Sequence, residues 1–248
     1  MTDTSKPSTP AVAPSGGTQS LADSQTYDAY ANTQMGRLAR IVALHAGVSQ
    51  PSTSQMLAER LADGARKALA ADSRLADIEV IGLRPLVGDI AKASVGAPLS
   101  PELQAVADSL AAADGVILVT PVFQASYSGL FKSAMDVLPE GTLEGAPVIL
   151  GATAGTARHS LVTETALRPL AAYMKALPTT TAVFAASEDF GAAWETEAAT
   201  DRPEAPLSER VARAGRELAV LMERFPRKAP VDPLADFAPM GSLLKSLS

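Results

Sequence analysis

The sequence predicts an α/β protein, a three-layer sandwich on a five-stranded parallel sheet of order 2-1-3-4-5. Three observations predict it. Short apolar runs alternate with longer segments whose apolar residues recur at helical spacing. The runs bounded by turn residues are rich in Ile, Val, Leu and Ala, which suits strands buried on both faces. The first run passes through a hydroxyl-rich loop into a helix. In this strand order, ligands sit where the winding reverses, between strands one and three.

Composition sets the outer bounds. The chain has 248 residues, enough for one domain of about 150–200 residues with ragged ends. It is 47% hydrophobic and 19% charged, with a formal net charge of −6. That balance is ordinary for a globular protein and does not favour nucleic acid, whose binders carry a basic surface. There is no cysteine, so disulfides, thiolate catalysis and cysteine-held metal are excluded. With only two histidines, a histidine-rich metal site is not expected either. No apolar run reaches the roughly 20 residues of a membrane helix. The amino terminus lacks the basic start and apolar core of a secretory signal, and the expected location is cytoplasmic.

Residues 1–36 are Ser, Thr, Pro, Ala and Gly with few large apolar groups, and are read as a disordered tail. The folded domain is placed at 37–226. Ile41–Leu44 is strand one. Leu57, Leu61, Ala65, Ala68 and Leu69 mark the buried face of the next helix, and Ser52, Thr53 and Ser54 can each cap it. Three hydroxyls exceed the need of one cap, and free N–H groups at a helix start suit a phosphate. Ile78, Val80 and Leu83 form strand two, and Leu86–Ala93 a short helix or loop. Ser100 caps a helix with Pro101 at its first position and Leu103, Val106 and Leu110 inward.

Strand three is Val116–Val119, following the turn pair Asp114-Gly115. The polar stretch TPVFQASYSG then reads as a loop leading to a helix with Leu130, Phe131, Ala134, Met135, Val137 and Leu138. Pro121 withholds a backbone N–H and restricts Thr120 to extended geometry, so the loop is partly shaped beforehand. Strand four, Val148–Ala152, ends in Gly151-Ala152-Thr153-Ala154-Gly155-Thr156. This is neither a Walker loop nor a dinucleotide fingerprint, because no Gly-Lys-Ser/Thr follows and G-x-G-x-x-G is missing. A helical region, Ser160–Leu177, has Leu161, Leu167, Leu170 and Met174 inward and a kink or split at Pro169. Thr179–Phe184 is strand five, and Ser187–Leu207 an acidic excursion. Ser208 caps a last helix with Val211, Ala214, Leu218, Leu221, Met222 and Phe225 on one stripe. Residues 227–248 form an extension whose Phe237, Met240, Leu243 and Leu244 suit the core or a subunit contact.

Three loops thus converge at one sheet edge: Gly47–Gln55, Thr120–Gly129 and Thr153–Arg158. No GxSxG hydrolase signature is present. His45 reads as structural, and Arg158 is the better electrostatic candidate beside His159. Lys132 is expected to pair with a surface acid.

On TPVFQASYSGLFKSAMDVLP, the Gly-Thr-Ala-Arg-His segment and Leu167-Arg168-Pro169-Leu170, the chain resembles the NAD(P)H-dependent FMN reductases. These are flavodoxin-like flavin reductases that supply reduced FMN to two-component monooxygenases. The resemblance covers about Arg40 to Phe190. It implies that Ser49, Ser52, Thr53 and Ser54 hold the FMN phosphate. Pro121, Val122, Phe123 and Gln124 would lie along the isoalloxazine, with Ser128 and Gly129 continuing that wall. Thr153, Ala154, Gly155 and Thr156 would face the pyrimidine, with Arg158 beside phosphate or flavin edge. Many relatives carry an arginine in or just after the first loop. Here Gln50 and Gln55 stand there, implying a weaker hold and an exchangeable FMN. Hydride would pass from NADPH or NADH to flavin N5 without a catalytic acid or base, since the chemistry belongs to the cofactor. A monooxygenase partner and a homodimer or homotetramer are also implied. Two alternatives stay open: a flavoprotein that keeps FMN and reduces quinones, azo or nitro compounds or metal oxyanions, and a non-enzymatic flavodoxin-type carrier.

Overall fold

The computed structural model describes residues 38–190 and 205–227. The disordered tail expected at 1–36, the acids of the Ser187–Leu207 excursion between 191 and 204 and the apolar residues of 228–248 lie outside the described residues.

In the sheet, β1 (Ala39–His45) lies between the edge strand β2 (Ala76–Gly82) and the central strand β3 (Gly115–Phe123). A two-residue strand, β4 (Ser126–Tyr127), folds back antiparallel on β3. Next across the sheet is β5 (Pro147–Ala154), parallel to β3. Both β6 (Leu177–Pro178) and β7 (Val183–Ala186) pair with β5. The order 2-1-3-4-5 is therefore present. Its fifth position is filled by two short strands, and the β3–β4 hairpin brings the total to seven.

Alternate residues of each central strand enter opposite cores. Ile41 and Ala43 of β1, Ile117 and Val119 of β3 and Ile149 of β5 face one side. Val42, Leu44, Val116, Leu118, Val148 and Leu150 face the other. The first side is covered by α1 (Thr53–Ala71) and, at the carboxyl end, by α6 (Leu207–Arg224). The second is covered by α2 (Val87–Ser94), α3 (Pro101–Ala112), α4 (Gly129–Val137) and α5 (Arg168–Tyr173). Leu57, Leu61 and Leu69 of α1 are fully buried, and each contributes about 1.5–3 kcal/mol by leaving water. Ser100 caps α3 as expected, accepting the Leu103 N–H at 3.2 Å.

One contact joins residues that the pattern does not connect. A Cβ on Gly215 would stand 2.6 Å from the Gly64 backbone, and one on Gly64 would stand 2.8 Å from Val211 Cγ1. The two glycines let α1 and α6 cross with their backbones in contact. At the opposite end of α6, Arg227 donates to the carbonyls of Leu110, Ala113 and Thr142. Burial pushes its guanidinium pKa down.

Several boundaries differ from expectation. β3 does not stop at Val119 but runs on to Phe123, because Thr120 and Pro121 continue its register with Ala152 and Thr153. The fifth strand is split around Thr179–Ala182. There Arg168 donates to the Thr179 and Thr180 carbonyls at 3.0 and 3.1 Å, and Glu217 accepts from Thr181 N and Oγ1 at 2.6 Å each. Side chains from α5 and α6 thus replace ladder partners. The helical region before β6 begins with a π turn, Thr163–Leu167, and Pro169 sits in the first turn of α5. Val162, not Leu161, points inward. α6 begins at Leu207 behind Pro206, so Ser208 is not its cap, and Phe225 lies exposed at its end.

Candidate functional site

The carboxyl ends of β1, β3 and β5 carry the three loops, and buried hydroxyls tie them together. Ala46 continues β1 through its N–H to the Val119 carbonyl at 2.9 Å. Gly47 then turns the chain so closely that a Cβ there would sit 1.9 Å from Ser52 Oγ. Ser52 is the N-cap of α1 and accepts the Gln55 N–H at 3.2 Å. Ser54 turns into the protein and meets Thr153 Oγ1 at 2.7 Å, which pins α1 to the end of β5. Both hydroxyls are buried. What remains open on this loop is Val48, Ser49, Gln50, Pro51 and Gln55, with Thr53 half-buried. α1 has no acidic residue in its first turn, so its positive end is not compensated from within.

The second loop is a β-hairpin. Val122 pairs with Tyr127 and Phe123 with Ser126. Gln124 and Ala125 turn it with φ of 50° and 63°, the left-handed pair of a type I′ turn, without the customary glycine. Beneath it, Thr120 is fully buried. Its hydroxyl accepts the Ser128 N–H at 3.0 Å, and Ser128 Oγ in turn accepts the Phe131 N–H at 3.2 Å as the cap of α4. Thr120 is the organising residue that sequence reasoning missed; the signal was a hydroxyl at the strand end eight residues before a cap serine. Tyr127 packs on Phe131, with ring centroids 6.1 Å apart, and so supports the hairpin from below. Phe123 is about half exposed on the hairpin's outer part.

The third loop leaves β5 at Ala154. Thr153 is consumed by Ser54, while Gly155, Thr156, Arg158 and His159 are exposed. A short 3-10 turn, Ala157–His159, carries the two basic residues. The fifteen candidate residues lie at the carboxyl ends of β1, β3 and β5 and in the segments that follow them, and Ser52, Ser54, Ser128 and Thr153 spend side-chain bonds on structure. Lys132 pairs with Asp136, one turn along its helix.

His45 ends β1. Its Nδ1 accepts the Gly47 N–H at 3.3 Å. Burial pushes its pKa below the usual histidine value, against an opposing pull from Glu59. The imidazole is thus held neutral as part of the loop's foundation. Among the described residues no group of three or more His, Asp or Glu could hold a metal ion, and no helix is long and apolar enough to cross a membrane. Among the described residues the edge offers hydroxyls, backbone amides, the Val122 and Phe123 side chains and the exposed guanidinium of Arg158.

A family model described as NADPH-dependent FMN reductase matches residues 39–191, from the start of β1 through the turn after β7. The chain belongs to the NADPH-dependent FMN reductase family. It is accordingly an oxidoreductase, with FMN and NADPH or NADH as its cofactors. An FMN reductase (NADPH) from Pseudomonas aeruginosa is 35% identical over 151 residues, 61% of this chain and 78% of that protein. The NADH-dependent FMN reductase SfnF from Pseudomonas fluorescens is 34% identical over 156 residues, 63% of this chain and 81% of that protein. Among solved structures, an oxidoreductase from Corynebacterium diphtheriae superposes with a TM-score of 0.69 at 37% identity, over 75% of this chain and 98% of that one. For an FMN reductase, the sheet order and the β1–β3 switch are those of the flavodoxin-like fold.

Proposed function

We propose that this chain oxidises NADPH or NADH, passes the hydride to FMN at this sheet edge, and releases reduced FMN to a partner monooxygenase. The observation that carries the reading is the pairing of two unlike loops on one edge. One is polar, carries no acid, and opens a 19-residue helix; the other is a paired hairpin with an exposed aromatic ring.

The residues fit FMN. Ser49, Thr53 and the backbone N–H groups before the uncompensated end of α1 suit a phosphate. Ser52 and Ser54 act one step back, by fixing that end through the Gln55 and Thr153 contacts. Pro121, Val122, Phe123 and Gln124 would hold the isoalloxazine, with Ser128 and Gly129 securing the hairpin to α4. Ala154, Gly155 and Thr156 bring backbone N–H groups to the pyrimidine side, where fixed donors stabilise developing negative charge. A Cβ at Gly155 would meet nothing within 4 Å, so this edge is open to a ligand. Arg158 adds a permanent charge beside it. Bound FMN supplies the two-electron chemistry, with N5 as hydride acceptor. The chain's part is to hold two flat rings together and keep water out.

Release of the flavin is supported by the loop itself, since Gly47–Gln55 contains no Lys or Arg. A homodimer or homotetramer belongs to the same reading, as the resemblance to the family implies.

The test is a spectrum and an assay. Purified protein is expected to be colourless and to oxidise NADPH or NADH only when FMN is added. A yellow protein that needs a quinone or dye instead would replace release by retention of FMN.

A further inference from the structure

The phosphate loop has a second side. Ser54 faces β5, but Gln55 and Glu59 of α1 turn the other way, towards β2. There a cleft of about 380 Å³ opens between the loop and the turn that follows β2. Ser49, Gln50 and Gln55 line it together with Arg84, His45 and Glu59.

Arg84 is placed with care. Its neighbour Leu83 is fully buried and donates its backbone N–H to the His45 carbonyl at 2.9 Å. The Leu86 N–H closes the turn on the Leu83 carbonyl at 3.0 Å, and Pro85 fixes it further. The arginine is thus carried on a stiff turn bonded to the very end of β1. Its side chain is exposed and makes no hydrogen bond or ion pair within the described residues. Arg40, Arg168 and Arg210, by contrast, are each engaged by protein acceptors.

The balance of charge gives the arginine its meaning. The loop holds no cation of its own. His45 is neutral, and Glu59 adds a negative charge with one oxygen taken by Gln55 Nε2 at 2.9 Å. Without Arg84 the cleft would repel any anion that the loop's hydroxyls and amides attract. With it, a fork of N–H donors and the side-chain amides of Gln50 and Gln55 line the same cleft, a set suited to phosphate oxygens.

The geometry points to this cleft as a phosphate-monoester subsite in which Arg84 supplies the cation that the loop lacks. The inference rests on the flavin reductase reading, and two reactants could bring such a group: FMN through its 5′-phosphate, or NADPH through its 2′-phosphate. Each has a natural control without the phosphate, riboflavin and NADH.

The experiment compares the full chain with its Arg84→Gln variant on all four ligands. Flavin dissociation constants are read by fluorescence quenching, and KM for each nucleotide by its oxidation. A guanidinium–phosphate contact at an exposed site predicts a loss of about five- to tenfold for one phosphate-bearing ligand. Its phosphate-free partner should be unchanged. Loss for FMN but not riboflavin assigns the subsite to flavin; loss for NADPH but not NADH assigns it to nucleotide. Unchanged FMN/riboflavin and NADPH/NADH ratios would overturn the inference, as would equal losses within each pair. If the unaltered protein binds neither flavin nor oxidises either nucleotide, the reductase reading fails instead.

Discussion

Two strand-to-helix junctions stand side by side at the sheet edge, β1 into α1 and β3 into α4, and each ends in a serine cap. Ser52 and Ser128 accept the N–H three residues on, both at 3.2 Å. Each junction also has a buried threonine beneath it, Thr153 for the first and Thr120 for the second. Above that common base they diverge. The first is an open loop whose tip, Ser49–Pro51, shows polar groups to solvent. The second continues its strand, returns as a hairpin, and shows an aromatic ring. One is built for charge and the other for shape. The same local device, a capped helix after a strand, serves both because the cap fixes only where the helix begins.

That contrast can be broken at its narrowest point. Gly47→Ala puts a methyl against Ser52 Oγ, so the cap or the turn must move. Loss of a cap costs about 0.5–2 kcal/mol, and the displaced amides should weaken FMN by about 30-fold or more. Riboflavin, lacking the phosphate, should lose much less; an equal loss would show that the loop does not hold phosphate. The second junction is tested from beneath by Thr120→Val, which keeps shape but leaves the buried Ser128 N–H without an acceptor. A loss of about 1–3 kcal/mol in urea unfolding is expected. No loss would mean that water or another group replaces the hydroxyl. Phe123→Ala should leave stability within about 0.5 kcal/mol, because the ring is half exposed. It should weaken FMN and riboflavin alike, by about three- to tenfold. A phosphate-selective effect there would reverse the assignment of the two junctions.

The smallest expected effect is one of pH. His45 has a folded pKa below its unfolded value of 6.5, so the unfolded chain binds the proton first. The stability this contributes is fully present above about pH 6.5 and is lost as pH falls from there towards the folded pKa. Urea midpoints at pH 7.5 and 5.5 should differ less in His45→Gln than in the unaltered chain; equal differences would remove His45 from the loop's foundation.

Much of this edge was legible because it rests on local rules. The Ser100-Pro101 start of α3, the buried stripe of α1 and the three glycine- or hydroxyl-bearing loops all follow from residues a few positions apart. The parts that were not legible depend on distant partners. β3 extends to Phe123 because β5 continues beside it, and the hairpin turn uses Gln124 and Ala125 where the usual glycine would have announced it. Strand five breaks because Arg168 and Glu217 take its backbone groups. The Gly64–Gly215 crossing joins helices from opposite ends of the domain. Arg84 went unnoticed for the same reason: nothing in its neighbourhood in sequence marks it as a neighbour of Ser49.

The central claim is tested most directly by following the 340 nm absorbance of NADPH and of NADH with the purified chain while FMN is titrated in. The account predicts that oxidation is negligible without flavin and rises to saturation as FMN is added. Failure of FMN to stimulate oxidation of either nucleotide, at any concentration, would contradict it.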